Sequence, residues 1–357
     1  MKTLIYILLF LLPASSSLAQ GITLQEMPFE EALRRAGEQG KLLFIDFYTG
    51  WCMPCAEMAR RLETGKAAAD FFSPRFVTVK FDLEHGEGKV LRDRFGITGI
   101  PTYLICAPDG TELYRRVGAL PLDLFIEKMA TGADPANAIR ALEEAYDAGT
   151  MSNERVMDYL NILIEGGHVE RSVEVAARLL AGLTDEEKCS PRYWPAFKDR
   201  HVTPAASPNF IFMMDHLERF RENVPAGEID RKIEENFYPL NGFLVGHEVE
   251  GGLPLLDALD GIIHAYDLPG KARLAAAAAL SRVLLAGDVA GIVALLERDL
   301  PDGTIPLWQC EKALELVATR GDDSSRQRLA RLGERLLDVA DAPVGKERVR
   351  RAFQVFM

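Results

Sequence analysis

The chain has 357 residues, of which 48% are hydrophobic and 26% charged, with a formal net charge of -12. At roughly 150 residues per domain this length predicts two or three folded units, and the composition excludes a disordered, fibrous or multispan membrane protein. The acidity leaves no basic footprint for a phosphate backbone, so nucleic acid is not an expected partner.

The charge is unevenly shared: residues 21–132 are nearly balanced at -2, while residues 133–357 hold -11. The first nineteen residues differ from the rest. Lys2 is their one charge, an apolar run extends from Leu4 to Leu12, and Ser17-Leu18-Ala19 precedes Gln20. This pattern predicts a cleavable signal peptide over residues 1–19 and hence a periplasmic or secreted protein. The run is shorter than a membrane-spanning helix requires, no later stretch reaches that length, and no Cys sits at the cleavage position for lipidation. No membrane insertion is expected after cleavage.

Between Ile22 and Gly132 strand-like and helix-like segments alternate. Phe29–Gln39 reads as a helix. Lys41–Tyr48 is an apolar run of strand length, suited to burial on both faces. Cys55–Thr64 has helical spacing, Phe76–Phe81 reads as a second strand, and Gly88–Phe95 as a short helix. Thr102–Cys106 and Glu112–Val117 flank Pro108-Asp109-Gly110, the composition of a hairpin turn. Leu122–Thr131 closes the set as an amphipathic helix. Strands crossed over by helices and ended by a hairpin predict a mixed-sheet α/β domain over residues 20–132.

From Ala133 the strand signals stop, and residues 133–357 read as an all-α domain. Helices are expected at 136–148, 153–165, 169–183, 271–286, 289–299, 307–320 and 324–339, separated by Gly- and Asp-rich breaks. Such pairs suit either an α-solenoid or an irregular helical domain, since no strict repeat period is present. The segment 185–252 is rich in aromatics, including Tyr193, Trp194, Phe197, Phe210, Phe212, Phe220, Phe237, Tyr238 and Phe243. Core packing is the expected use of these rings, with a binding groove as the alternative. The alanine run between Leu274 and Leu280 suits close helix contact.

Trp51-Cys52-Met53-Pro54-Cys55 follows the buried strand and opens a helix. Two cysteines one helical turn apart can exchange between dithiol and disulfide with little backbone motion. The Cys52 sulfur at the helix N-terminus faces free N–H groups and the positive end of the dipole, which favours the thiolate and makes Cys52 the expected nucleophile. Cys55, one turn in, is the expected resolving thiol. Pro54 costs little at a helix start and stiffens the loop, and Trp51 is expected to shield one side.

With these motifs the sequence resembles the thioredoxin family. The resemblance covers about residues 25–131 and rests on Ile45-Asp46-Phe47-Tyr48 with the cysteine motif, Val79-Lys80-Phe81-Asp82, Phe95 to Thr102, Pro108-Asp109-Gly110 and Val117 to Leu120. It implies a thioredoxin fold, with a mixed central sheet flanked by helices, and a thiol-disulfide oxidoreductase acting on protein disulfides or dithiols. Pro101 would be the family's cis-proline, leaving the Ile100 backbone to pair with an extended client segment. Asp46 would be the buried carboxylate that moves the Cys55 proton, with Lys80 as its charged neighbour. Even without the resemblance, an Asp in an apolar strand needs a partner. Met53 departs from the glycine common in cytosolic members. Pro54, Ile100 and Asp46 place the site nearer the reducing end of the potential range, which in an oxidising envelope implies a membrane-bound electron donor. The two-part layout, with Tyr193-Trp194-Pro195, also resembles exported thioredoxin-family proteins of Bacteroidetes-type bacteria.

A metal site is not expected, because the other cysteines and the six histidines are scattered and a structural zinc site needs four ligands. No cofactor is implied beyond the Cys52–Cys55 redox pair. Cys106 reads as a small buried hydrophobe, and pairing of Cys189 with Cys310 is left open. Two functions fit the whole chain: an oxidoreductase whose helical domain selects clients, or a redox-sensitive protein-binding module whose helical domain is the main surface.

Overall fold

The computed structural model describes residues 21–237, 252–340 and 343–356. The expected signal segment 1–19, Tyr238 and Phe243 lie outside the described residues. The chain divides into two compact units, the first ending at Leu179 and the second beginning at Leu180.

In the first unit, helix α1 (Phe29–Gln39) ends where Gly40 takes φ 62° and returns its N–H to Ala36 and Gly37. A left-handed residue closes a helix with least strain when it is glycine. Strand β1 (Leu42–Tyr48) follows, then α2 (Met53–Thr64), α3 (Lys66–Phe72), β2 (Phe76–Asp82), α4 (Glu87–Phe95), β3 (Thr102–Cys106), β4 (Glu112–Val117) and α5 (Leu122–Ala133). The four-stranded sheet runs β2-β1-β3-β4. β1 is parallel to β2 and antiparallel to β3, and β3 is antiparallel to β4. This is the mixed sheet that the sequence predicts.

Both faces of β1 are covered, which is why its run is apolar throughout. Leu43, Ile45 and Phe47 pack with Phe29, Leu33, Val79 and Leu104 on one face. Phe44 meets Phe72 of α3 at 4.8 Å and Phe125 of α5 at 6.2 Å on the other, where Tyr103 stacks beside it. Burial of each such ring contributes about 1.5–3 kcal/mol. Asp46 shares this second face with Phe44 by the two-residue period of a strand.

Three helices continue the first unit: α6 (Ile139–Asp147), α7 (Asn153–Glu165) and α8 (Val169–Ala181), the last crossing into the second unit. Glu165 of α7 accepts from Tyr114 Oη at 3.2 Å and pairs with Arg116 at 3.2 Å and Lys128 at 2.7 Å. These contacts fasten α7 to β4 and α5, covering a strand that would otherwise be an open sheet edge. Gly132 lets α5 approach: a Cβ there would stand 2.2 Å from the Tyr114 ring. The expected helix 136–148 is in fact a 3-10 turn at Pro135–Asn137 followed by α6.

The described part of the second unit is helical. Helices at Lys271–Ala286 and Val289–Asp299 match the expected spans, and that expected at 307–320 begins as a 3-10 turn over Leu307–Gln309 before Glu311–Arg320. Tyr193, Trp194, Phe197, Phe210, Phe220 and Phe237 are buried, and Phe212 is half-buried, so these rings form core. Cys106, Cys189 and Cys310 are all free and buried; the pairing left open for Cys189 and Cys310 does not form. Burial pushes the Cys106 and Cys310 thiols up to about 12, consistent with inert packing residues. Among the described residues no helix is long and apolar enough to cross a membrane, and no group of three or more His, Cys, Asp or Glu is disposed to hold a metal.

Candidate active site

The sheet brings the sequence motifs to one end. β1 leaves it at Tyr48 toward the cysteines, and β2 reaches the same end at Asp82 because the two strands are parallel. β3 starts there, with Thr102 opposite Phe47, and β4 finishes there, with Val117 opposite Thr102.

Cys52 and Cys55 form a disulfide with their Cα atoms 5.3 Å apart. Cys52 caps α2: its Sγ accepts from the Cys55 N–H at 3.2 Å, and its own N–H donates to Thr49 O. Pro54 sits in the first turn, where its missing N–H leaves no intrahelical bond unmade. A sulfur accepting a backbone N–H at a helix N-terminus is an environment that favours its anionic form. Both cysteines are largely covered, Cys52 being 5% exposed and Cys55 2%, while the flanking Trp51 and Met53 are 69% and 81% exposed. Trp51 is anchored all the same, its Nε1 donating to Glu84 Oε1 at 3.0 Å. Glu84 carries no sequence signal; its role depends on β2 ending beside the motif.

The Ile100–Pro101 peptide is cis. Pro101 O accepts from Gly118 N at 2.8 Å, tying the residue to the end of β4, and Ile100 lies just outside the β1–β3 ladder. A groove of about 380 Å³ is lined by Pro54, Glu57, Met58, Arg61 and Ala119 to Pro121. Arg61 fixes its wall by donating to Leu120 O at 3.2 Å.

Asp46 is 1% exposed and pairs in register with Lys80 on one side and Tyr103 on the other. Burial pushes its carboxyl up to about 7, the Lys80 ammonium opposes that rise, and Glu63 of α2 adds to it. Lys80 is shared, since its Nζ also lies 3.3 Å from Glu26 and 5.8 Å from the centre of the Tyr48 ring. A carboxyl that titrates near neutrality can both accept and return a proton at working pH.

Part of the chain is similar to known proteins. A Thioredoxin-like family model matches residues 25–108. The chain is 33% identical over 96 residues to a Thioredoxin H-type protein of Oryza sativa subsp. indica, covering 27% of this chain and 73% of that protein. It is 28% identical over 144 residues to the chloroplastic thioredoxin-like protein HCF164 of Arabidopsis thaliana, covering 39% and 52% of the two chains; it thus spans about half the length of that relative. A solution structure from Bacteroides thetaiotaomicron, assigned as a disulphide-isomerase, is 38% identical, with a TM-score of 0.31, and aligns with 32% of this chain and 95% of its own. With a third of the positions identical across nearly three quarters of the rice protein, the chain belongs to the thioredoxin family.

Proposed function

We propose that the protein is a thiol-disulfide oxidoreductase of the cell envelope that reduces disulfides in client proteins. The observation that carries this reading is the Cys52–Cys55 disulfide at the N-terminus of α2, at the same end of the sheet as cis Pro101 and just after the strand that holds Asp46, whose carboxyl is pushed up to about 7. In the reduced protein the Cys52 thiolate attacks one sulfur of a client disulfide. A Cys52–client bond forms, the client S–S bond breaks, and the second client sulfur leaves as a thiolate that takes up a proton from solvent. Ionised Asp46 then accepts the Cys55 proton. The Cys55 thiolate attacks Cys52 Sγ, the intramolecular disulfide forms, and the remaining client sulfur leaves as a thiolate, which can be protonated by Asp46. Two electrons pass to the client, and an external dithiol must return them to the pair.

The client would lie against Trp51, Met53 and Pro54 and pair its backbone with Ile100, as an added strand. Pro54 and Ile100 support the reducing direction, and the apolar leader over residues 1–19 supports export, where a membrane-bound donor would supply electrons. The helical region that follows residue 132 would select clients. The test is reduction of insulin disulfides with dithiothreitol as the electron source. The wild-type protein should accelerate it catalytically and Cys52→Ser should not; equal rates for the two would dismiss the assignment.

A further inference from the structure

One residue beside Asp46 has no place in that cycle. Tyr103 faces Asp46 directly across the β1–β3 ladder, two residues beyond cis Pro101, and is fully buried. Its ring fits an aromatic cluster, stacked on Phe44 at 5.9 Å and edge-on to Phe125 at 4.6 Å. A phenylalanine would make the same contacts. The hydroxyl is therefore a cost: Tyr103 Oη has no hydrogen-bond partner among the described residues, and a buried donor left unmade costs about 1–3 kcal/mol. Asp46 Oδ1, on the facing residue, is likewise buried and unpartnered. Two orphaned polar atoms on directly opposed residues complement each other: the phenol can donate, and the ionised carboxylate can only accept.

The geometry points to Tyr103 as a positioning residue for Asp46: its hydroxyl donates to the ionised carboxylate, directly or through one enclosed water, and so sets the pH range in which Asp46 can take the Cys55 proton. The inference rests on the proposed thiol-disulfide cycle. The other charged or titratable groups acting on Asp46 are Lys80 from β2, which Glu26 also engages, Glu63 from α2 and Tyr48 further along β1. The negative Asp46 also raises the Tyr103 phenol beyond the effect of burial, so the two side chains sense each other while the phenol stays a donor throughout the working range. A hydrogen bond to the charged form lowers a carboxyl pKa, so loss of the hydroxyl should raise it.

The test uses the reduced full chain and 5,5′-dithiobis(2-nitrobenzoate). Cys52 releases one thionitrobenzoate on attack, and Cys55 releases the second as it closes the intramolecular disulfide. The rate of the second release, followed against pH, should show an inflection that Asp46→Asn removes. Tyr103→Phe should move that inflection up by about one pH unit, a roughly tenfold slower release on its acid side. In an Asp46→Asn background Tyr103→Phe should change nothing. A Tyr103→Phe profile that superimposes on wild type, or one that shifts equally without Asp46, overturns the inference. Carbon-13 titration of the Asp46 carboxyl in the oxidised protein gives the same answer without turnover: its midpoint must rise in Tyr103→Phe. If instead wild type releases no second thiolate, the oxidoreductase reading itself falls, and this carboxyl titration still decides whether Tyr103 acts on Asp46.

Discussion

Asp46 is the clearest place where the proposed function opposes stability. Its carboxyl is pushed up from the ordinary 3.8 to about 7, with burial as the main cause. A carboxyl raised in this way binds more protons folded than unfolded between those two values. Its neutral form is tolerated below about pH 4, and stability is lost as pH rises through 7. At about 1.4 kcal/mol per pH unit the penalty above pH 8 reaches about 4 kcal/mol. Asp46→Asn keeps the shape and removes the charge. It should leave the first unit nearly unchanged at pH 4 and stabilise it by about 2–4 kcal/mol at pH 8. Urea unfolding of the oxidised protein, read by pulsed hydrogen exchange on peptides from β1 and β3, isolates that unit from the second. The reasoning is refuted if the variant is equally stabilising at both pH values, or destabilising at pH 8.

The clamp on β4 makes further predictions. Glu165→Ala leaves Arg116 and Lys128 without their carboxylate and should cost about 1–3 kcal/mol by the same unfolding assay, with Cys52 alkylation rates unchanged; slowed alkylation would show that the clamp reaches the redox site. Gly132→Ala should lower the melting temperature although alanine favours helix, because its Cβ would strike a Tyr114 ring whose hydroxyl is held by Glu165. In the double variant the two costs should fall short of their sum, since Tyr114 is then free to move. Strict additivity would remove Glu165 as the restraint.

The residues of the candidate site are easier to read from the sequence than those that surround them. Phe29–Gln39, Asn153–Glu165, Lys271–Ala286 and Val289–Asp299 could be bounded from local signals alone: apolar spacing, a Ser or Asp cap, a Gly stop. Cys52 and Cys55 are legible from their spacing at a helix start and Asp46 as a charge in an apolar strand, whereas Pro101 is legible only through the resemblance to the thioredoxin family. α3 is too short and too close behind Gly65 to announce itself, and Gly252–Ala265 and Pro343–Phe353 open on Gly or Pro that mimic loop composition. Glu84, Tyr103 and Glu165 look ordinary in sequence. They gain their neighbours only through strand register or the return of a distant helix, which no local pattern encodes.

The central claim is that Cys52 receives the client and Cys55 resolves it. Cys55→Ser, reduced and mixed with an oxidised disulfide protein such as insulin, tests it in one step. The account predicts a stable mixed disulfide that mass spectrometry of the digested adduct maps to Cys52 and that dithiothreitol releases. An adduct on the Cys55→Ser protein that maps to Cys106, Cys189 or Cys310, or no adduct while free Cys52 remains alkylatable, would contradict it.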